Sequence, residues 1–342
     1  MEIDGSQGEG GGQTVRTAVA LSALTGMDFH MTRIRENRPT RGLSKQHCTA
    51  VEGVAKMTDS RVFGNYPGSR DITFYPGDSR MEDLVFDVGS AGSISLVMQA
   101  LLLAARFHIN GVRMDIIGGT NVMWAPPVDF YGQVLFPLMD RMGFEANMEI
   151  INRGFYPEGG GRVIVNVRPP VKIAPLNITE LGDFKHIEGV CYCRGLPGRV
   201  ADDIVRSAEN RLKDITTDIS ISKEISEGRS SGAGISLVAV FENGRLGSGV
   251  LGSRGYPASQ VGEDAANDLL NDISSDSTMD VHAADQLLPY MALSEEECQF
   301  RVWKISKHLL SQMDMLERFL DVSFGVVRTK KGYHITVTPE ET

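Results

Sequence analysis

The residues best suited to chemistry stand near the start of the chain, in Asp4-Gly5-Ser6-Gln7-Gly8-Glu9-Gly10-Gly11-Gly12-Gln13. Glycines let backbone N–H groups converge on an anion, and a helix start adds its dipole to that field. No Gly-Lys-Ser/Thr follows, so the segment is not a Walker A loop, and its spacing is not that of a dinucleotide fingerprint. Three consecutive glycines around a single carboxylate exceed what a sharp strand-to-helix turn needs, which favours a phosphate cradle. A carboxylate beside phosphates is repelled unless a divalent cation bridges them, so Glu9 is a candidate metal ligand.

A second cluster is basic. Arg33, Arg35, Arg38, Arg41 and Lys45 face one acid, Glu36, in a chain whose net charge is -10. Charge runs are usually solvated faces. Arginine, however, suits bidentate phosphate contacts, and Pro39 and Gly42 make this segment a loop. The residue types leave both readings open. Among the histidines, His30, His108, His186 and His334 have no evident polar company and read as structural. His47 neighbours the basic segment. His282, in Val281-His282-Ala283-Ala284-Asp285-Gln286, is placed to edge a nucleotide. His308 follows Ser306, a natural N-cap. A helix N-terminus disfavours imidazolium, so His308 is expected to be neutral at pH 7 and able to act as a nucleophile. Position alone does not separate that role from a structural one.

The elements that must carry these residues follow from hydrophobic spacing. Thr14–Leu24 reads as a helix ended by Gly26, Phe29–Arg35 as a strand, and Ser44–Met57 as a helix. Leu84–Val88, the small-residue loop Gly89-Ser90-Ala91-Gly92-Ser93 and the apolar helix Ile94–Ala105 form a second strand–loop–helix unit, returning as the strand Val112–Ile117. Asp4-Gly5-Ser6 before a helix with Gln13 echoes Asp87-Val88-Gly89-Ser90 before a helix with Gln99. A third unit is expected from the helix Val128–Met142 through the strands Ala146–Ile151 and Gly161–Val167, with a glycine-rich turn at Arg153–Gly161 between them. Pro169-Pro170 and the stretch to Leu176 read as a linker.

Composition shifts after about residue 178. Strands His186–Cys193, Ile215–Ile221 and Ile235–Phe241 with helices Pro197–Lys213 and Pro257–Ile273 make a set that could fold alone. The earlier pattern resumes with Ala283–Leu293, a strand around Phe300 and Val302, a helix Lys307–Leu320 and a strand His334–Val337. The economical division is a large domain, 1–178 plus 277–342, interrupted by an inserted α/β domain, 179–276. A chain of 342 residues exceeds the usual size of one core, which agrees with two units.

Bulk properties narrow the class. The chain is 42% hydrophobic and 23% charged, as in soluble globular proteins. An acidic total argues against coating a duplex but permits gripping one nucleic-acid end with a local basic patch. Four cysteines, Cys48, Cys191, Cys193 and Cys298, form no CxxC pair, so neither a zinc ribbon nor a disulfide framework is signalled. The longest apolar run, near Leu96–Ala105, is shorter than the about 20 residues needed to cross a bilayer. With no charged-then-apolar signal region at Met1-Glu2-Ile3-Asp4, a cytoplasmic location is expected.

Taken in order, these segments resemble a known family. Asp4–Arg16, Ile34-Arg35 with Arg38, Gly42-Leu43 and Gln46-His47, and Gly89-Ser90-Ala91-Gly92-Ser93 resemble segments of RNA 3'-terminal phosphate cyclases. So do Gly118-Gly119-Thr120 with Ala125-Pro126-Pro127, Gly154-Phe155-Tyr156-Pro157-Glu158-Gly159-Gly160-Gly161, Ala284-Asp285-Gln286-Leu287 and His308-Leu309-Leu310. The resemblance spans nearly the whole chain. It implies an α/β (α+β) fold: three repeated α/β units resembling the C-terminal domain of translation initiation factor three, plus a smaller inserted α/β domain. It further implies ATP and a divalent cation, Mg2+ or Mn2+, as cofactors, and RNA with a 3'-terminal phosphate as substrate. His308 matches the histidine that takes AMP from ATP and passes it to the RNA 3'-phosphate, after which the vicinal 2'-OH closes the cyclic ester. By the same matching, Glu9 is the metal ligand, and Arg16 and Arg38 join His308 and Glu9 in catalysis. Arg35, Gln46 and Gln13 contact substrate phosphate. Gln99, Pro126, His282, Ala283, Ala284, Asp285 and Gln286 form the ATP pocket, with Pro126 and His282 flanking the adenine. The chain departs from the family pattern at His282, where some members have Tyr, and at Ser311-Gln312, where many have Thr-Asn.

Two other classes compete. One is the family's non-cyclising branch, a ribosome-assembly binding protein without the histidine; His308 with Glu9, Arg16 and Arg38 argues against it. The other is a sugar-phosphate transferase on a related repeated fold. Oligomeric state is left open, a homodimer included.

Overall fold

The computed structural model describes residues 1–79, 84–228 and 230–340. One strand order occurs three times. The first unit contains β1 (Glu2–Asp4), α1 (Gly12–Thr25), β2 (Phe29–Thr32), α2 (Lys45–Met57), β3 (Arg61–Phe63) and β4 (Ile72–Tyr75). Its sheet runs β1-β2-β4-β3, with β1 and β2 parallel and the later pairs antiparallel. The second contains β5 (Leu84–Asp87), α3 (Ile94–Ala104), β6 (Val112–Gly118), α4 (Val128–Phe130), α5 (Phe136–Asp140), β7 (Glu145–Asn152) and β8 (Gly161–Arg168), in the order β5-β6-β8-β7. A π-helical turn, Tyr131–Leu135, joins α4 to α5.

The third unit opens with β9 (Asn177–Ile178) and is then interrupted. The interrupting segment contains β10 (Phe184–Arg194), α6 (Arg199–Leu212), β11 (Ile219–Ser226), β12 (Gly232–Phe241), β13 (Arg245–Leu251) and α7 (Ala258–Ser274). Its sheet runs β11-β10-β12-β13, and it has its own apolar core around Ile187, Ile204, Leu237, Leu246 and Leu269. The third unit then resumes with α8 (Val281–Ala292), β14 (Cys298–Val302), α9 (Lys307–Phe319), β15 (Val322–Arg328) and β16 (Tyr333–Pro339), giving the order β9-β14-β16-β15. The architecture is thus mixed α/β, three like units and an insert, as the resemblance implies.

The sequence explains the elements locally. In β8 the alternation buries Val163, Val165 and Val167 and turns the intervening residues outward. Each such buried side chain contributes about 1.5–3 kcal/mol. Helix α1 has buried residues on nearly every side, because α2, α3 and α9 all pack against it. It stops at Gly26, whose φ of 72° suits glycine and whose N–H donates to the Ser22 carbonyl.

Several expectations are corrected. The strand expected over Phe29–Arg35 ends at Thr32, because Arg33 and Arg35 take left-handed φ values of 53° and 55° and turn the chain. The strand expected at Ile215–Ile221 instead spans Ile219–Ser226 as a sheet edge, after a turn in which the Ile215 and Thr216 amides donate to Leu212. The segment Val128–Val167 is the second half of the second unit, not a third one. The true third unit is split by the insert, and its partner strands lie far apart in sequence. Strands β3, β4, β13 and β15 were not anticipated. The first two are too short to show alternation, and β13 carries Gly247 and Gly249. His30 and His186 do have polar company: their ring nitrogens lie 3.0 Å from Glu2 and 3.4 Å from Glu188. The four cysteines are unpaired, and three are buried. Among the described residues, no helix is long and apolar enough to cross a membrane.

Candidate active site

The glycine loop after β1, the basic turn after β2, the start of α3, the loop before α4, and the N-termini of α8 and α9 converge on one cleft of about 860 Å³. Helix α9 starts where Ser306 caps it: its hydroxyl accepts the Leu309 N–H at 2.8 Å and donates to Asp285 Oδ1 at 2.8 Å. That second bond ties α9 to α8 and holds His308 at the cleft wall, half-exposed. Asp280 caps α8 by accepting the Ala283 N–H at 2.8 Å, and its other oxygen accepts the Gly247 N–H at 3.1 Å from β13. The insert thereby contributes Gly247, Ser248 and Gly249 to the cleft wall.

His308 is held through one ring nitrogen. Its Nδ1 lies 2.5 Å from Gln13 Oε1 and also against Glu9 Oε2. A single Nδ1–H serves one acceptor well. Both oxygens compete for it, and Glu9 Oε2 is buried with no other partner among the described residues. Glu9 Oε1 pairs with Arg38, and the Glu9 amide donates to Ser311 Oγ at 2.9 Å. Gln13 is fixed in turn. Its Nε2 donates to Gln312 Oε1 at 2.8 Å, and Thr17 Oγ1 donates to the same oxygen at 2.9 Å. With Nδ1 carrying the proton, Nε2 keeps its lone pair.

Burial in the cleft favours the neutral form of His308. Burial lowers its pKa from the usual imidazole value, and Arg16 and Arg38 lower it further, while Asp285 opposes them. Arg16 is itself buried, and desolvation brings its pKa to about 10, so it stays cationic at neutral pH. Its Nε donates to Gln99 Oε1 at 2.9 Å, which fixes the plane of the guanidinium. Burial raises Asp285 to about 6. His47 is pushed well below its usual value by burial and then by Arg16 and Arg35. It closes a capping box with Ser44, and a Cβ on Gly12 would fall 2.0 Å from its ring, so only glycine fits there.

The basic turn divides into two groups. Arg33 pairs with Asp4 and Arg41 with Glu36, whereas Arg35 and Arg38 line the cleft. Arg35 Nη1 donates to the Gly42 carbonyl at 2.9 Å. Gln46 also lines the cleft and accepts the Ser93 N–H at 2.8 Å. At the far end Pro126 and His282 share the cleft with Gln99 and Gln286. Tyr131 donates to Gln286 Oε1 at 3.0 Å. Phe130 meets the His282 ring edge-on, with centroids 6.3 Å apart. Ala283 and Ala284 are buried in the core and do not line the cleft. The sequence reading gave no site role to His47, Ser306, Trp124, Phe130 or Gly247–Gly249. For Ser306 the capping position was the available signal; for the others only the tertiary fold brings them in.

Among the described residues, no group of three or more His, Cys, Asp or Glu could cage a metal. A cation held by one carboxylate together with substrate phosphates and water needs no cage. Glu9 Oε2, buried and with no partner other than the His308 imidazole among the described residues, fits that requirement.

Comparison with known proteins identifies the family. The sequence profile of the family described as RNA 3'-terminal phosphate cyclase matches residues 7–326. The protein of that name from Caldivirga maquilingensis is 41% identical over 346 residues, covering 99% of this chain and 98% of its own. Proteins of the same name from Methanopyrus kandleri and Pyrococcus furiosus are each 39% identical, covering 98% and 96% of this chain and 97% and 95% of their own. With a profile across nearly the whole chain and full-length relatives at this identity, the chain belongs to the RNA 3'-terminal phosphate cyclase family.

Proposed function

We propose that this chain converts an RNA 3'-terminal phosphate into a 2',3'-cyclic phosphodiester at the expense of ATP, releasing AMP and pyrophosphate. The observation that carries this reading is the anchoring of His308 through Nδ1, which leaves the Nε2 lone pair free on a side chain that lines the cleft. In the first step Nε2 attacks the α-phosphorus of ATP, the P–N bond forms, and the bond to pyrophosphate breaks. In the second, an oxygen of the RNA 3'-phosphate attacks that phosphorus, the P–N bond breaks, and AMP moves onto the RNA end. In the third, the vicinal 2'-OH attacks the RNA 3'-phosphorus, loses its proton and expels AMP. This last step gains from being intramolecular.

The chain's own residues divide the work. Gln13 and Glu9 orient the imidazole. Arg16, Arg35, Arg38 and Gln46 meet phosphoryl oxygens as charge develops on them. Pro126 and His282 flank the adenine, and Gln99, Asp285 and Gln286 give it polar edges. Mg2+ or Mn2+ held by Glu9 would supply further neutralisation of phosphate charge. The test is direct: purified protein, ATP and RNA ending in 3'-phosphate should yield cyclic-phosphate RNA and AMP in equal amounts. RNA ending in 3'-hydroxyl should yield neither. AMP release independent of the RNA end would contradict the proposal.

A further inference from the structure

We propose that Trp124 is a stacking platform for a nucleobase at the 3' end of the RNA. This rests on the proposed function of the cleft and extends recognition beyond the terminal phosphate. Trp124 is 93% exposed, the highest value among the large hydrophobic side chains of the described residues. Tryptophan normally buries most of its surface, so a ring held in solvent is unusual. Its backbone is unusual too: φ is 67°, a left-handed value that a bulky side chain rarely adopts. The strain is held from both sides. The Thr120 amide donates to the Gly154 carbonyl at 2.9 Å, the Val128 amide to the Thr120 carbonyl at 3.1 Å, and Ser95 Oγ to the Pro126 carbonyl at 2.6 Å. Pro126 and Pro127 stiffen the C-terminal side of the loop. A strained residue persisting in an over-determined loop beside an active cleft is a common sign of functional placement.

The occupant is set by position. Trp124 lies on the rim of the cleft that also holds Arg38, Pro39 and His308. The adenine of ATP is assigned to Pro126 and His282, with Phe130 edge-on to the imidazole. A group that reaches Trp124 therefore comes from outside, as the strand carrying the 3'-phosphate must. Single-stranded ends are recognised by this pairing of arginine for the phosphates and an aromatic face for the bases. Stacking is tolerant of sequence because every base has a π-face.

The chain has two tryptophans, so Trp303→Phe leaves Trp124 as the sole indole reporter. In that background, RNA bearing a 3'-phosphate and a 2'-O-methyl terminal ribose, which cannot cyclise, should quench the fluorescence. ATP alone should not. Trp124→Ala should raise the KM for 3'-phosphate RNA about tenfold, equivalent to about 1.4 kcal/mol, with AMP transfer to the protein retained. Trp124→Phe should keep most of the affinity. RNA made abasic at its last two positions should bind the wild type and Trp124→Ala equally. An unchanged KM for RNA in Trp124→Ala would overturn the proposal. So would a raised KM for ATP in the absence of RNA, which would assign the ring to the nucleotide. Failure of the proposed function itself is separately visible, as absence of AMP transfer by the wild type.

Discussion

The Nδ1 of His308 lies 2.5 Å from the amide oxygen of Gln13, and that oxygen faces the histidine because Gln312, one turn further along α9, takes the Gln13 amide nitrogen at 2.8 Å. The three side chains settle one another's orientation. Gln312 Oε1 accepts from both Thr17 and Gln13, and in this arrangement Gln13 turns its oxygen to His308. A neutral imidazole bonded this way carries its proton on Nδ1.

Gln312→Ala should therefore slow AMP transfer by about tenfold, the scale of losing one well-oriented hydrogen bond. The KM for ATP should hardly change, because Gln312 lies outside the cleft lining. Gln312→Glu keeps an acceptor for Thr17 and Gln13 and should recover most of the rate. Single-turnover adenylylation at varied ATP separates the two parameters. A change confined to KM would contradict the orienting role.

On the proposed mechanism, the pH dependence of AMP transfer follows the same imidazole. His308 must be neutral to attack, and its pKa is lowered by burial and by Arg16 and Arg38. The rate should fall as pH drops, with a midpoint below the ordinary imidazole value of about 6.5. Arg38→Met removes a cation and frees Glu9, and both changes favour imidazolium. The acid limb should move to higher pH. A rate–pH profile for both proteins measures the displacement; a shift to lower pH would refute the electrostatic account.

Glu9→Ala should raise the divalent-ion concentration needed for half-maximal AMP transfer and lower the maximal rate. Titration with Mg2+ and with Mn2+ checks this. Curves identical to wild type would remove Glu9 as a ligand.

Near the end of α7, Asp272 sits buried close to Asp280 and Asp268, and burial followed by those two charges raises its pKa to about 8. The folded protein then holds a proton that the unfolded chain releases near pH 4. Stability from this group is present at low pH and is lost as pH rises from about 4 through about 8. Asp272→Asn should flatten that loss, raising Tm at pH 9 by about 2 °C or more relative to wild type while changing little at pH 4. Thermal unfolding at the two pH values decides it. Equal differences at both would show a packing effect instead.

How much of this was legible in the sequence depends on how local the cause is. The Gly5–Gly12 loop, the Ser306 cap and the Gly26 stop are written in neighbouring residues, so the starts of α1 and α9 and the position of His308 could be read directly. Strand β13 could not. Its glycines disfavour a strand, and it forms because β12 pairs with it and because Gly247 and Gly249 let Phe130 and Pro127 approach closely. Trp124 and His47 enter the cleft only when loops distant in sequence meet. The division of the basic turn was likewise invisible: which arginines serve the cleft is decided by Asp4 and Glu36 capturing Arg33 and Arg41.

The central claim is that His308 Nε2 carries AMP. The most direct measurement is incubation of the protein with ATP labelled at the α-phosphate, followed by peptide mapping at neutral pH. The account predicts one AMP per chain, acid-labile and on the peptide containing His308, and none on His308→Ala protein that unfolds at the wild-type temperature. Undiminished labelling of His308→Ala, or AMP mapped to a different residue, would contradict it.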